Sequence, residues 1–231
     1  MATSKTGRET PTRKEPLNRE TVLTAALDLV DSEGLDALSM RRLGQELGCD
    51  PMSLYRHAAN RAALLDGITE LVLNELPISS DETDWQEQLR RMAHDLRLQA
   101  LRHPNVVPLL VTRPLSTPLG LRPQGVLRPL EHILGMLIKA GFAPGDALHV
   151  YRAYYGFLYG HLLNELQEFI VDAEENEAIL RLGLQNLPAK KFPHLRALAP
   201  ALADYDGEEE LDQGLSILLS GLGAQLASHP S

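Results

Sequence analysis

Apolar residues recur at three- and four-residue spacing along nearly the whole chain, and no stretch alternates apolar and polar residues long enough to form a strand. In residues 18–33, Asn18 is a good N-cap and one helical face collects Val22, Leu23, Ala26, Leu27, Leu29 and Val30. Helices without a sheet must bury their apolar faces against one another. The periodicity therefore predicts an all-α fold with about nine or ten helices.

The composition is that of an ordinary folded chain. Its 231 residues are 44% hydrophobic and 23% charged, which suits one large domain or two small ones. The longest run without polar or charged residues spans residues 153–160, well short of the roughly 20 apolar residues that a membrane helix needs. Cys49 is the only cysteine, which excludes an intrachain disulfide and two-cysteine zinc motifs. We expect a soluble, cytoplasmic protein with no membrane partner, because residues 1–16 contain no apolar signal segment.

Charge is distributed unevenly along the chain. The formal net charge is −9, yet residues 1–61 contain nine basic and nine acidic residues, so the excess acidity lies in residues 62–231. Within residues 39–61, four arginines are accompanied by only Glu46 and Asp50. A negatively charged surface repels nucleic acid. We therefore expect any DNA to bind near the N-terminal end.

Two short helices joined by a tight turn are predicted near this end. Ser39 is a good N-cap for a helix that Gly48 ends, and its apolar positions are Met40, Leu43 and Leu47. Pro51 suits the first position of a second helix, which we predict to extend to about His57. This is the pattern of a helix-turn-helix. Its second helix would present polar side chains to the major groove of DNA.

The chain divides into three predicted parts. Residues 1–16 form a flexible arm, whose basic residues could touch phosphates, although an unstructured terminus is the simpler interpretation. Residues 17–61 form the helix-turn-helix head, and residues 62–231 form a larger helical body. In and beyond the head, predicted helices cover 61–76, 84–102, 105–111, 124–139, 145–174 and 208–228. Residues 112–123 are predicted as a loop, and residues 175–207 as irregular except for a short helix near 178–182.

Three segments within residues 17–76 resemble the DNA-binding domain of the TetR/AcrR family of TetR-type repressors: AALDLVDSEG, LSMRRLGQELG and SLYRHAANRAALLD. A weaker likeness to the tetracycline-responsive members continues through Trp85-Gln86, Thr112-Arg113-Pro114, Gly141-Phe142 and the helix at 211–226. The resemblance implies an Ω-shaped homodimer. Each subunit would have a small DNA-binding head and a larger body for ligand binding and dimerisation.

The resemblance also implies roles for individual residues of the head. Ser39, Tyr55 and Arg61 match positions that bind phosphate, and Arg41 matches an arginine that contacts guanine. Met52, Ser53, Arg56 and His57 match positions that contact bases or the nearby backbone, and Pro51 opens the same helix. Simpler alternatives remain open for three of them. Tyr55 could be a core residue, His57 could cap the helix end, and Arg41 could be a solvated surface charge.

The last two long helices look like the four-helix dimer interface of this family. Independently, the final helix has a broad leucine face made of Leu211, Leu215, Leu218, Leu219, Leu222 and Leu226. Burying such a face favours association, by about 25 cal/mol per Å² of apolar area before the costs of association. The alternative is that this face packs within one subunit.

The remaining helices should enclose an effector. The candidate lining residues are Met92, Leu96, Leu109, Arg113, Ile133, Met136, Leu137, Tyr151, Tyr154, Tyr155 and Leu158, each of which could instead be plain core. By this resemblance, Met92, Leu109 and Ile133 stand at positions where the tetracycline-responsive members have polar residues that bind tetracycline and magnesium. Of those polar residues, this sequence keeps only Arg113. Unpartnered polar groups of a metal-chelated drug would cost roughly 1–3 kcal/mol each. We therefore expect a more apolar effector, with one acidic or carbonyl group for Arg113.

Other chemistries lack support in the sequence. His161 and Glu165 share a helix face but have no obvious third metal ligand, and the acidic run at 204–207 lacks the glutamate of a calcium loop. Nucleotide-binding and nucleophile motifs do not occur. We expect no metal, no cofactor and no enzyme activity.

The predicted function is that of a transcriptional repressor, which a small, largely apolar effector releases from a palindromic double-stranded DNA operator. The alternatives are an activator or ligand-independent regulator with the same head. A further alternative is a helical small-molecule-binding or enzymatic protein.

Overall fold

The computed structural model describes residues 17–77, 84–116, 124–169 and 182–228, with side chains throughout except at 113–116, 126, 167–169, 203 and 226–228. In these ranges the chain forms helices and no strand. The α-helices are α1 (Arg19–Glu33), α2 (Met40–Leu47), α3 (Pro51–Leu54), α4 (Arg61–Asn74), α5 (Trp85–Arg102), α6 (Val107–Ser116), α7 (Gln124–Lys139), α8 (Pro144–Phe169), α9 (Pro193–Ala197), α10 (Ala199–Ala203) and α11 (Gly207–Ser228). The predicted all-α fold is confirmed.

The head consists of α1, α2, α3 and the first turns of α4. Asparagine side chains cap two of these helices, because Asn18 accepts the N–H of Thr21 at 2.7 Å and Asn60 accepts that of Ala63 at 2.9 Å. The head has an apolar core of fully buried side chains, among them Val22, Ala26, Val30, Leu43, Leu54 and Leu64. Burial of these faces holds α2 against α1 and α3 against α2, while α1 packs on α4.

Helix α4 belongs to both parts of the molecule. It packs against α1 in the head and against α6 and α7 in the body. Its own apolar side chains, including Ile68 and Val72, are buried in the same continuous core. Helix α4 therefore forms a continuous packed connection between the head and the body.

The body is a helical bundle in which α8 packs against α5, α6, α7 and α11. Trp85 at the start of α5 meets Phe142 edge-on, with ring centroids 5.2 Å apart. Buried core residues of the body include Leu89, Leu96, Leu110, Ile133, Leu137, Leu158 and Leu162. None of the described helices is long and apolar enough to cross a membrane.

The predicted leucine face of the last helix is divided between two environments. Leu211, Leu215 and Leu219 are fully buried inside the subunit, so the assignment of these three to a dimer surface was wrong. They point towards α5 and α8, which pack on α11. Leu218 and Leu222 are half-buried, and the side chain of Leu226 lies outside the described residues. Ile217, on the other side of α11, is 79% exposed.

Several predicted boundaries differ from the structure. Helix α3 ends at Leu54, not near His57, because the N–H of His57 bonds to the carbonyl of Leu54 three residues back and tightens the chain into a turn. Helix α6 continues to Ser116, where the sequence predicted a loop from residue 112. Leu109 and Leu110, in the first half of this helix, are buried.

The region predicted as irregular also contains helices. Residues 193–203 form α9 and α10, and residues 182–186 are helical. Proline opens α9 and follows the first residue of α10, which is where its fixed φ suits a helix. The flexible arm at 1–16, the rest of the predicted loop at 117–123, and the predicted helical residues 170–174 and 178–181 lie outside the described residues.

Candidate DNA interface and effector cavity

Helices α2 and α3 meet at a tight turn that contains glycine. Gly48 ends α2 in the left-handed conformation (φ 58°, ψ 41°), which glycine adopts without a steric penalty. Asp50 then caps α3, because its side chain accepts the N–H of Met52 at 2.9 Å. Gly44 permits close packing of the two helices, since a Cβ atom there would lie 3.0 Å from Cγ of Pro51. The angle between α2 and α3 is thus fixed by local contacts.

The outer side of this helix pair is exposed and unpaired. Leu54 is fully buried and anchors α3, whereas Met52 is 70% exposed and Tyr55 is 46% exposed. Arg41 and Arg56 are exposed and make no hydrogen bond or ion pair with any described residue. We call Arg41, Met52, Tyr55 and Arg56 the recognition surface. Arginine can bind guanine with two hydrogen bonds, and apolar side chains suit the thymine methyl group in the major groove.

Two other arginines of the head bind groups of the protein itself. Arg42 forms ion pairs with Glu33 and, at 2.9 Å, with Glu46. The hydrogen bond from Arg42 lowers the pKa of Glu33. Arg61, at the start of α4, donates from Nε to the carbonyl of Leu38 at 2.8 Å. Its predicted phosphate contact stays a prediction, but in the isolated subunit Arg61 joins α4 to the segment before α2.

The other predicted DNA contacts occupy the ends of α2 and α3. Ser39 caps α2 by accepting a backbone N–H at 3.1 Å, and Ser53 donates its hydroxyl to a backbone carbonyl at 2.6 Å. Pro51 is the first residue of α3, and His57 is half-buried in the turn that follows. Their roles toward DNA stay predictions. Their structural contacts place them at the edge of the recognition surface.

A partly open cavity lies in the body where the residues that follow α4 meet α5, α7 and α8. We call it the effector cavity. Its lining residues are Leu76, Pro77, Met92, Asp95, Leu96, Pro129, Tyr154, Tyr155 and Leu158. Most of this wall is apolar or aromatic, as is typical of sites for small organic molecules. Burial raises the pKa values of Tyr154 and Tyr155 well above the ordinary tyrosine value, so both hydroxyls stay protonated.

Five of the predicted ligand residues line this cavity: Met92, Leu96, Tyr154, Tyr155 and Leu158. Five others do not line it. Leu109, Ile133, Met136 and Leu137 are buried in the core, and Tyr151 packs against Tyr155 with ring centroids 4.8 Å apart. Arg113 lies in α6, but its side chain is outside the described residues. Contact of these six residues with a ligand stays a prediction.

Sequence reasoning missed four lining residues: Leu76, Pro77, Asp95 and Pro129. A signal existed for Asp95, because residues 92, 95 and 96 share one face of a helix. In the sequence, Pro77 is expected to end the preceding helix, and the resemblance places a ligand-binding histidine of the family only near it. Pro129 was not singled out, since nothing in the sequence shows that α7 approaches the end of α4.

The head and body are also joined by polar contacts at the end of α1. His103 Nδ1 lies 2.7 Å from a carboxylate oxygen of Asp31. The amide of Asn105 donates to the backbone carbonyls of Val30 at 3.0 Å and Asp31 at 3.2 Å. These carbonyls belong to the last turn of α1, where the Val30 carbonyl also accepts the N–H of Gly34 at 2.8 Å. The segment between α5 and α6 therefore caps a helix of the head.

A buried charged cluster joins three helices of the body. Arg97 of α5 donates to the fully buried carboxylate of Glu165 in α8 at 2.7 Å and 3.0 Å, and also lies 3.5 Å from Glu208 of α11. His161 Nε2 lies 3.5 Å from the same Glu165 carboxylate. Burial alone would raise the pKa of Glu165, but the neighbouring His161 and the hydrogen bonds from Arg97 outweigh it and lower the pKa. Among the described residues, no group of three His, Cys, Asp or Glu could hold a metal ion.

A helix-turn-helix head, joined through one helix to a body with a cavity, defines a DNA-binding transcriptional regulator with a separate ligand domain. The family model "Bacterial regulatory proteins, tetR family" matches residues 22–68, and "Tetracyclin repressor-like, C-terminal domain" matches residues 76–226. The chain belongs to the tetR family of bacterial regulatory proteins. The resemblance of residues 17–76 and of the body to this family is therefore confirmed.

Relatives match along almost the entire chain. The tetracycline repressor protein class D of Escherichia coli is 31% identical over 216 residues, which cover 92% of each chain. Apo ActR from Streptomyces coelicolor has a TM-score of 0.76 at 31% identity and covers 93% of this chain and 98% of its own. ActR in complex with actinorhodin gives a TM-score of 0.77 at 32% identity, with coverage of 91% and 97%.

Proposed function

We propose that this protein is a homodimeric repressor that binds a palindromic operator in the bacterial cytoplasm and leaves it when a small, largely apolar effector fills the effector cavity. The observation that supports this most directly is the position of the cavity. Its wall contains Leu76 and Pro77, at the end of α4, together with residues of α5, α7 and α8. An occupant would therefore contact the residues that directly follow α4, the helix whose first residue, Arg61, is bonded to the segment before α2.

The proposed release mechanism is a shift in the population of two arrangements of the head. Effector binding moves α4, and α4 moves α2 and α3 through α1 and through the Arg61 hydrogen bond to the Leu38 carbonyl. In a dimer this changes the separation of the two recognition surfaces, so both can no longer occupy successive major grooves. The effector can weaken DNA binding only by the factor by which it prefers the non-binding arrangement.

The recognition surface supplies the proposed DNA contacts. Arg41 and Arg56 would contact bases or adjacent phosphates, Met52 would contact base edges, and the Tyr55 hydroxyl would donate to a phosphate. Ser39, Pro51, Ser53, His57 and Arg61 would complete the contact area from the helix ends. Each good base contact contributes roughly 1–3 kcal/mol of discrimination. One short helix provides few such contacts, so a specific site requires two heads.

Dimerisation is proposed through α8 and α11. Helix α8 exposes a stripe of small residues, Ala153, Gly156 and Gly160, and a Cβ atom at either glycine would meet nothing within 4 Å. Helix α11 exposes Ile217 and Gly221 one turn apart. Because α8 and α11 pack on each other, these residues can form one surface that a second copy would cover. Small residues allow the close approach of helix backbones.

The test is fluorescence anisotropy on DNA from the protein's own upstream region, with an Arg41→Ala/Tyr55→Phe double variant and a salt titration. Binding that resists excess nonspecific DNA and is lost in the double variant would support the proposal. Equal binding of both proteins would contradict it, because these two side chains lie on the recognition surface and support no core contact. If upstream DNA does not bind, selection from random sequence provides the operator for the same comparison.

A further inference from the structure

Asp95 is the one charged residue among those that line the effector cavity, and it was not expected there. It lies on α5 between Met92 and Leu96, and the aromatic rings of Tyr154 and Tyr155 face the same space. The remainder of the wall is apolar except for the tyrosine hydroxyls. A carboxylate in such a wall loses part of its solvation free energy unless a hydrogen-bond donor compensates for the lost water.

No described residue makes a hydrogen bond or an ion pair with Asp95. Its charged neighbours on α5 are directed elsewhere: His94 lies 2.8 Å from Asp212 of α11, and Arg97 binds Glu165 of α8. The side chains of His94 and Arg97 thus have partners on other helices, whereas Asp95 lines the cavity. Burial raises the pKa of Asp95, and the nearby charges of His94 and Arg91 offset part of this rise. Asp95 is half-buried, so its carboxylate is open to a hydrogen bond from water or from a ligand that bears a donor.

The rest of the wall favours a flat aromatic ring. Tyr155 contacts Tyr151, Tyr154 and Tyr159 with ring centroids between 4.8 and 5.3 Å apart, in a cluster of tilted and edge-on rings. The hydroxyl of Tyr154 donates to the carbonyl of Leu89 at 2.8 Å and is therefore not available to a ligand. The opposite wall is formed by Leu76, Pro77 and Pro129, which offer no side-chain polar group.

We propose that Asp95 determines effector specificity by accepting a hydrogen bond from an aromatic molecule that bears a donor, either a hydroxyl or an ammonium group. This inference rests on the proposed function, since it treats the cavity as the effector site. The aromatic part of the molecule contacts the tyrosine rings together with Leu76, Pro77 and Pro129, and its donor reaches the Asp95 carboxylate. The acidic or carbonyl group of the effector that we expect to bind Arg113 is a separate feature of the molecule.

The experiment compares three aromatic probes of matched shape: 2-naphthol, its methyl ether 2-methoxynaphthalene, and 2-naphthylmethylammonium. Binding to the full-length protein is measured by isothermal titration calorimetry. At least one donor probe should bind at least about tenfold more tightly than the ether, because a hydrogen bond to a charged group is gained only with the donor. The two donor probes distinguish a neutral from a cationic ligand.

Two variants test whether Asp95 is responsible. In Asp95→Leu the donor probes should lose their advantage over the ether. In Asp95→Asn the amide oxygen still accepts from naphthol, so a preference for naphthol should persist while one for the ammonium disappears. Glu131→Gln removes an exposed acid of α7 outside the cavity wall and should leave the wild-type ranking unchanged. Thermal melts of each variant verify that it is folded.

Equal binding of the three probes, binding of none, or a donor preference that survives in Asp95→Leu would each overturn the inference. Operator binding, measured by fluorescence anisotropy with the same probes present, distinguishes failure of the Asp95 proposal from failure of the release mechanism. Probes that show the expected ranking but leave DNA bound would contradict the release mechanism and leave the role of Asp95 intact. Release by the ether as efficiently as by the donor probes would overturn the role of Asp95 and leave the release mechanism intact.

Discussion

At the scale of single residues, Gly44 controls how closely α2 and α3 approach. In Gly44→Ala the new Cβ would lie 3.0 Å from Pro51 Cγ and 3.1 Å from the carbonyl oxygen of Cys49. We expect the helices to separate, with a loss of about 1–3 kcal/mol in the free energy of unfolding and weaker operator binding. Denaturant titration and anisotropy measure the two effects. Gly135→Ala is the matched control, because a Cβ there meets nothing within 4 Å and stability should not fall.

Glu165 is a residue whose effect on stability depends on pH. Its pKa in the folded protein is below the ordinary value of 4.5, so the carboxylate stabilises the fold above that pH and loses this effect as the pH falls through the lowered pKa. In Glu165→Gln the buried guanidinium of Arg97 loses its main partner, which we expect to cost about 3 kcal/mol at pH 7.

The measurement for Glu165→Gln is urea unfolding at pH 7 and at pH values below 4.5, at one protein concentration. The difference between wild type and variant should narrow as the pH falls, because the wild-type carboxylate becomes protonated. A difference that is the same at every pH would contradict the assignment of this stabilisation to the charge of Glu165.

At the scale of elements, the connection between α5 and α6 holds the last turn of α1. Asn105→Ala removes the two hydrogen bonds to the carbonyls of Val30 and Asp31, and we expect a loss of about 1–2 kcal/mol in stability. Operator affinity should also fall, since the head is then less firmly oriented by the body. Denaturant titration and anisotropy verify this. Asn186→Ala, at an exposed position of the body, should change neither quantity.

Elements with strong local signals could be predicted from the sequence. Helices α1, α2 and α4 begin within a residue of their predicted starts, because Asn18, Ser39 and Asn60 are cap residues at the right spacing. The end of α3 could not be predicted, since it depends on a three-residue hydrogen bond within an otherwise helical pattern. The extension of α6 to Ser116 could not be predicted either, because Pro114 and the prolines that follow it in the sequence are typical of a loop.

The candidate site could be predicted from the sequence only in part, again because some of it depends on how distant helices pack. The exposed recognition surface follows from the polar and aromatic positions of two adjacent short helices, so local pattern suffices. The effector cavity joins the end of α4 with α5, α7 and α8, and its wall depends on how these helices cross. Periodicity identifies inward-facing residues such as Ile133 but cannot separate those that line a cavity from those that fill the core.

At the scale of the whole molecule, charge and assembly should act together. Residues 62–231 have a net charge of −9, whereas residues 39–61 contain four arginines and two acids, so we expect DNA to approach the head. A palindromic operator then gains two sets of contacts only if the two subunits are joined. Operator affinity should therefore depend on the α8 and α11 surface, which is remote in sequence from the recognition surface.

Ile217→Glu tests this dependence. The side chain is 79% exposed in the single subunit, so a glutamate there costs little in folding, but a dimer surface would bury it as an unpaired charge. We expect a shift from dimer to monomer in sedimentation velocity and a fall in operator affinity of at least about tenfold, since one head alone makes half of the contacts. Ile138→Glu places the same charge at a 47% exposed position of α7 and should leave both properties unchanged. A dimeric Ile217→Glu variant with wild-type operator binding would show that subunits meet through another surface.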